Sequence, residues 1–346
     1  MPAGCHRRRA PSLLNPCGPR SLTAGRRGEG MADPIPFAIV LRMRNRAYHR
    51  VPEMRLRSPA AAARFVRRVG FCLFWPTRGL EAPTLLHATA GRALPLGGGY
   101  DHPAFGRSWN WKDEALDKRR WYYGRLLRGR ATLVSLEFLP AFYALSENYG
   151  DPGEYLQQYQ DGRLSAEAKA VYEALLHLGP LDTVRLRKES RLAGESAKAR
   201  FQRAVADLQE GLKILPTGVA EAGAWNYAFI YDLVSRWFPE LDAQSRPLTT
   251  AAARRKIVLQ HLDNLAAATE GEVRSLLGWP ATVLARTLAA LSEGGEVEKV
   301  EVADGGRATV RIATRAGARR LRREAGARRL ARASRRKPVV RRRRVA

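Results

Sequence analysis

Between Ala166 and Tyr231 the apolar residues repeat in an order that few folds can accommodate. Val171, Leu175 and Leu178 recur at helical spacing behind Ser165 and Glu167, and Gly179-Pro180 stops the turn. A short second helix starts from Asp182. Phe201, Val205, Leu208 and Leu212 then repeat, so a third helix begins near Ser196, buries that face and leaves Ser196, Lys198, Arg200 and Arg203 outward. Leu212 to Leu215 reads as a strand stopped by Pro216, and Tyr227 to Tyr231 as the returning strand. Three helices closed by a hairpin is the winged-helix plan, a helix-turn-helix variant whose third helix can enter a DNA major groove.

The same order comes round again. Ile257, Leu262 and Leu265 lie on a first helix, Thr269 caps a second with Val273, Leu276 and Leu277 inward, and Gly278-Trp279-Pro280 starts a third carrying Leu284, Leu288 and Leu291. Val297 to Val302 and Ala308 to Ile312 then form a hairpin around Asp304-Gly305-Gly306. Matching Val171 with Val258 sets the period at 87 residues. The expected fold class is mainly α with small β-hairpins (α+β), built from tandem winged-helix domains over 161–245 and 246–314. Residues 31–160 precede them as an N-terminal unit.

Charge has to be divided before it means anything. The formal net charge is +27, but residues 1–30 hold six arginines against one glutamate, and residues 315–346 hold fourteen arginines and a lysine against one glutamate. That leaves +8 for 31–314, a mildly basic body. The ends attract phosphate without reading sequence. Residues 1–30 lack periodicity and read as a disordered basic arm or as a mis-assigned start before Met31, and 315–346 reads as an arginine-rich tail. No secretory signal or membrane-spanning run is present, and Cys5, Cys17 and Cys72 lack metal-ligand spacing, so the expectation is a reduced, cytoplasmic protein.

In the N-terminal half, Pro36 to Met43 suggests a strand or an edge segment, and Ser58-Pro59 opens a helix with Ala62, Phe65, Val66 and Val69 inward, closed by Gly70. Phe71 to Pro76 is a short apolar segment and Glu81 to Ala90 is helical. Leu94 to Pro103 with Gly97-Gly98-Gly99 is a loop rather than a phosphate cradle, because no Lys-Ser or Lys-Thr follows it. Trp109 to Arg128 reads as a long aromatic and basic helix, Thr132 to Leu136 as a strand, Phe138 to Leu145 as a short helix, and Tyr155 to Tyr159 as a linking helix.

Three groups of residues could act. The outward faces of the two third helices, Ser196, Lys198, Arg200 and Arg203 in one and Thr282 and Arg286 in the other, suit phosphate and base-edge contacts, and equally a solvated face or a protein contact. Trp75, Trp111, Trp121 and Tyr122 lie among cations and could stack on unpaired bases, or simply fill a core. Asp113 and Glu114 adjoin that stretch, where a carboxylate could activate water or sit on a wet surface. His87, His102, His177 and His261 stand singly, and no metal or cofactor motif is visible.

Phe74-Trp75-Pro76-Thr77-Arg78-Gly79, Trp111-Lys112-Asp113-Glu114, Arg120-Trp121-Tyr122-Tyr123 and Ala220-Glu221-Ala222-Gly223-Ala224-Trp225 together mark a chain that resembles the AlkZ-like winged-helix DNA glycosylases, in their AlkZ-related branch. The resemblance runs from about Met31 to Gly305 and implies a concave DNA-binding face and a third winged-helix unit within 36–145. Catalytic members of that superfamily carry a Gln-x-Gln or Gln-x-Asp pair after a glycine-ended helix, thought to position water for attack on the sugar carbon. Placing Gly70 and Pro76 on the pattern puts Leu73 and Trp75 at those two positions, and neither can deprotonate water. The resemblance therefore implies a binder of double-stranded, damaged or distorted DNA. The alternatives are a glycosylase that uses Asp113 or Glu114 instead, and a winged-helix transcriptional regulator.

Overall fold

The computed structural model describes residues 33–97, 101–146, 148–151, 153–223 and 226–336; the N-terminal arm with Cys5 and Cys17, Gly98-Gly99, Ala224-Trp225 and the chain beyond 336 lie outside the described residues. The described residues from Pro34 onward form one compact unit.

The chain starts with β1 (Ile35–Pro36) and α1 (Phe37–Ala47). Next come α2 (Pro59–Val69), β2 (Phe71–Leu73), α3 (Leu85–Ala90), α4 (Pro103–Asp113), β3 (Tyr122–Leu127) and β4 (Arg130–Val134), then α5 (Leu139–Tyr143) and α6 (Glu154–Gln160). A second set follows: α7 (Ala166–Leu178), β5 (Leu181–Asp182), α8 (Thr183–Glu189), α9 (Lys198–Glu210), β6 (Ile214–Ala220) and β7 (Ala228–Leu233). Short helices α10 (Val234–Trp237) and α11 (Leu241–Ser245) lead to α12 (Thr250–Leu265), α13 (Glu270–Leu277), α14 (Ala281–Glu293), β8 (Val297–Asp304), β9 (Arg307–Thr314) and a last helix, α15 (Arg315–Arg336).

Each winged-helix unit places a short strand after its first helix and folds its hairpin back on it. The sheet orders are β2-β4-β3 and β5-β7-β6, so the strand after the first helix pairs with the last strand in both. In the third unit that strand shrinks to one antiparallel bridge, Ala268 to Ile312. Three successive units on one plan make this a tandem winged-helix fold of the α+β class.

Local signals account for the helices of the later units. Ser165 accepts from the Ala168 N–H, Asp182 from the N–H groups of Val184 and Arg185, and Thr269 forms a reciprocal capping box with Glu272. The third helices α9 and α14 have no side-chain cap and are held by packing: Phe201, Ala204, Val205 and Leu208 of α9 are buried, as are Leu284, Leu288 and Leu291 of α14. Gly70 ends α2 at φ +76°, and a Cβ there would meet the Gln260 side chain at 2.9 Å and the Phe138 ring at 3.1 Å. That close approach lets Asn264 of α12 donate to the Val69 carbonyl at 2.8 Å, which ties unit one to unit three. Tyr122 donates to the Gln209 carbonyl at 3.2 Å and ties unit one to α9 of unit two.

Four expectations are corrected. Pro36 to Met43 is not a strand: only Ile35–Pro36 pairs with β8, and α1 follows because Ile39, Val40 and Arg44 share one buried face. Arg44 donates from there to the carbonyls of Leu265 at 3.1 Å and Ala267 at 3.0 Å. The long helix over Trp109 to Arg128 ends at Asp113, and its second half is β3, whose alternating residues pair with β4 around a turn at Arg128 (φ 55°) and Gly129 (φ 63°). Pro216 does not stop a strand. It lies inside β6, an edge strand with a register irregularity between Pro216 and Gly218, where a missing N–H is tolerated. The arginine-rich C-terminus is helical as far as Arg336, and Ala318, Leu321 and Ala325 of α15 are buried with Ile39, Val40 and Val302.

Among the described residues no helix is long and apolar enough to cross a membrane.

Candidate functional site

The third helix of unit one ends in an unusual place for a lysine. Ala104, Ser108, Trp111 and Lys112 are the buried residues of α4, and the Lys112 side chain is fully enclosed. Its Nζ lies 4.1 Å from the Trp109 ring centre, 4.7 Å from Phe229, 5.2 Å from Tyr123 and 5.7 Å from Tyr227. A buried ammonium survives only with partners. Lys112 donates to Asp113 Oδ1 at 2.5 Å and to the Tyr227 hydroxyl at 3.0 Å, and Tyr227 in turn donates to the same Asp113 oxygen at 3.0 Å.

Electrostatics follow from that enclosure. Burial pushes the Lys112 pKa below its ordinary value, and the Asp113 charge and hydrogen bond oppose the shift. Burial raises Tyr227, with Asp113 adding to it, so the phenol stays a neutral donor. Two donors converge on Oδ1, while Asp113 Oδ2 accepts from no described residue. The carboxylate side chain keeps 21% of its exposure, enough to reach water.

An aromatic ladder adjoins the pair. The Trp75 ring stacks on Phe105 with centroids 5.1 Å apart, Phe105 stacks on Trp109 at 5.8 Å, and Trp75 meets Trp109 at 6.1 Å. Trp75 is half-buried just beyond β2 and borders a cleft of about 400 Å³ with Arg78 and Arg130 on its rim. Leu73, two residues earlier, is in the central core.

The sequence candidates divide. Asp113 and Trp75 meet in this cluster. Glu114 is exposed on the next turn. Trp111, Trp121 and Tyr122 are 7%, 3% and 0% exposed, so their rings face protein, whereas Trp75 borders a cleft. Core packing accounts for the other three: Trp111, on the buried face of α4, and Trp121, just before β3, pack in one cluster with Phe65 and Phe74, and Tyr122, in β3, packs in the central core. Ser196, Lys198, Arg200 and Arg203 are exposed along α9 and its lead-in, and Thr282 and Arg286 are exposed on α14. Two of these cations already have partners: Lys198 sits 3.6 Å from Glu195 and Arg200 3.1 Å from Glu167.

Lys112, Phe105, Tyr227 and Phe229 were not expected at a site. The signal for the last two was present: Tyr227, Phe229 and Tyr231 alternate, and alternation in a strand puts all three aromatics on one face. The observed ring contacts are 5.5 Å and 6.1 Å. Among the described residues no group of three or more His, Cys, Asp or Glu is placed to hold a metal ion.

Comparison with known proteins adds a fold and a family. No curated protein matches the chain. Among solved structures, the Streptomyces sahachiroi DNA glycosylase AlkZ is similar with a TM-score of 0.51 and 14% identity, over 83% of this chain and 71% of that one. At that identity the likeness is one of fold. The family model described as AlkZ related matches residues 56–278, from before α2 through the end of α13. That span is more than half of the chain and includes the whole Trp75, Lys112, Asp113 and Tyr227 cluster; the chain belongs to the AlkZ-related family.

Proposed function

We propose that this protein binds double-stranded DNA, with preference for a damaged or distorted duplex, through the outward faces of α9 and α14. The observation that carries the reading is the tandem arrangement itself, in which Ser196, Lys198, Arg200 and Arg203 of one unit and Thr282 and Arg286 of the next stand exposed where a winged helix meets a groove. The structural neighbour named a DNA glycosylase supports DNA as the partner class. Trp75 would stack against an extruded or poorly stacked base, with Arg78 and Arg130 near the sugar-phosphate backbone. The protein works in the cytoplasm, associated with the nucleoid when bound. Fluorescence anisotropy with the full chain tests the reading. Salt-sensitive binding at low micromolar protein, tighter for a mismatched or alkylated duplex than for a perfect one, is expected; absence of duplex binding at low salt removes the proposal.

A second reading, base excision, is favoured by one observation: Asp113 is held by Lys112 and Tyr227 through one oxygen and has the other without a partner among the described residues. On the sequence resemblance, with Gly70 and Pro76 set on the family pattern, Leu73 and Trp75 take the positions of the wider superfamily's catalytic pair, and Asp113 would replace it. Oδ2 takes a proton from water, the oxygen attacks the sugar carbon C1′, and the base departs with the glycosidic electron pair. Glu114 is less suited, being exposed and outside the aromatic cluster. A panel of alkylated and crosslinked duplexes scored for abasic sites decides it. Product from the wild type that disappears in Asp113→Asn and persists in Glu114→Gln supports excision, and no product on any lesion leaves only the binder.

A further inference from the structure

The C-terminal helix sorts its arginines. On the side facing the body, Arg320 pairs with Asp263, and Arg322 pairs with Glu298 at 2.9 Å. Gly317, Ala318, Leu321 and Ala325 are buried against α1 and the third unit. Arg315, Arg319 and Arg323 form an outer ridge at i, i+4 and i+8, and all three are exposed. Their side chains have no hydrogen bond or ion pair to any described residue. Arg323 also lines a groove of about 690 Å³ with Arg46 and Arg68. The acids in that groove, Asp263 and Glu324, are already matched by Arg320 and Arg42.

We infer that this docked helix is a second duplex-binding surface, reading phosphates through Arg315, Arg319 and Arg323 and independent of α9 and α14. The ridge rises about 12 Å along the helix, the axial rise of three to four base pairs of duplex. Three unmatched guanidiniums on a rigid scaffold suit phosphate oxygens at fixed spacing. A membrane surface fits less well, because the apolar positions Ala318, Leu321 and Ala325 that a lipid-binding helix would insert are covered by protein. The inference rests on the proposal that the partner is duplex DNA and adds to it where a separate set of contacts lies.

The test measures duplex affinity of the full chain against salt concentration. The triple variant Arg315→Gln, Arg319→Gln, Arg323→Gln is expected to lower the slope of log affinity against log salt by about 2.7, about 0.9 for each phosphate no longer neutralised, and the corresponding Arg→Lys triple to restore it. A slope unchanged in the Gln triple overturns the inference, as does a Gln triple that loses binding to phosphatidylserine vesicles while keeping the wild-type DNA slope. If the Gln triple does not fold, arginine-specific labelling of the wild type replaces it. Duplex is expected to protect Arg315, Arg319 and Arg323, and equal labelling with and without duplex is the overturning result. A wild type that binds no duplex at all refutes the parent proposal instead, so the two failures are distinct.

Discussion

Helices α4 and α9 hold the same place in their units, third in order and followed by the hairpin, yet they treat their lysines in opposite ways. Lys198 of α9 is 55% exposed and faces Glu195 at 3.6 Å on the surface. Lys112 of α4 is fully enclosed, 2.5 Å from Asp113. The difference comes from what lies over each helix. Tyr227 and Phe229, carried by or next to the returning strand of unit two, close over the end of α4. The winged-helix plan thus fixes where a third helix sits, and the neighbouring unit decides whether its charges meet solvent or aromatic rings.

The sharpest way to break that comparison is to remove each lysine. Lys112→Met leaves Asp113 and Tyr227 without their cation in a largely enclosed site and is expected to cost about 3 kcal/mol, the order seen when one partner of a buried pair is removed. Lys198→Met is expected to stay within about 0.5 kcal/mol, as exposed pairs do. Denaturant midpoints at matched slope read both. Equal losses at the two sites would mean that the enclosure of Lys112 contributes nothing.

A charge need not be present to be sensed. His261, in the first helix of unit three, is 0% exposed, neither ring nitrogen has a hydrogen-bond partner among the described residues, and the Phe71 ring lies 6.0 Å away. Burial, helped by Arg44, pushes its pKa down to about 3. The unfolded chain takes up that proton near the ordinary histidine value, well above the folded one, so the contribution to stability is complete above about pH 6.5. It is lost as pH falls toward about 3, by about 1.4 kcal/mol per pH unit for the one proton. Chemical denaturation between pH 7 and 5 is expected to show this loss, and His261→Phe to flatten that part of the profile. A parallel profile in the variant would place the acid sensitivity elsewhere.

Units two and three were legible in the sequence because their helices carry 3.6-residue apolar repeats behind explicit caps, and Ser165, Asp182 and Thr269 cap them as their side chains suggest. Unit one was not, because the stretch from Trp109 to Arg128 mixes aromatics, leucines and arginines at spacings that fit a helix as well as a strand. Only pairing with β4 selects the strand from Tyr122 onward. The same limit applied at the site. Asp113 could be singled out as a carboxylate near Trp75, but its hydrogen bond to Tyr227 spans 114 residues and leaves no local trace. In the C-terminal helix, four small or apolar buried positions among the arginines were too sparse to announce a packed face.

The second helices of units two and three offer a finer comparison, since both begin at a side-chain cap but only one cap is reciprocal. Thr269 accepts from the Glu272 N–H, and Glu272 accepts from the Thr269 N–H at 2.7 Å. Asp182 accepts from two N–H groups, at 2.9 Å and 3.0 Å, with no returning side chain. Thr269→Ala is expected to cost about 1 kcal/mol. Asp182→Ala should cost a similar amount, with an added salt dependence because its carboxylate also faces the helix dipole. Midpoints measured at low and high salt separate the two, and identical salt responses would leave the dipole contribution below detection.

The smallest effect on folding separates stability from binding most cleanly. Lys198, Arg200 and Arg203 are exposed, and Lys198 and Arg200 pair only across the surface, at 3.6 Å and 3.1 Å. Replacing all three by Ala is expected to shift stability by less than about 1 kcal/mol in total, with helix propensity slightly improved. If α9 meets DNA, the same variant lowers the salt slope of duplex binding by up to about 2.7, and the weakening is uniform across duplex sequences for each residue that touches phosphate rather than a base edge. An unchanged slope would mean that these cations merely solvate the helix, and the distinction between α4 and α9 would then be one of burial alone.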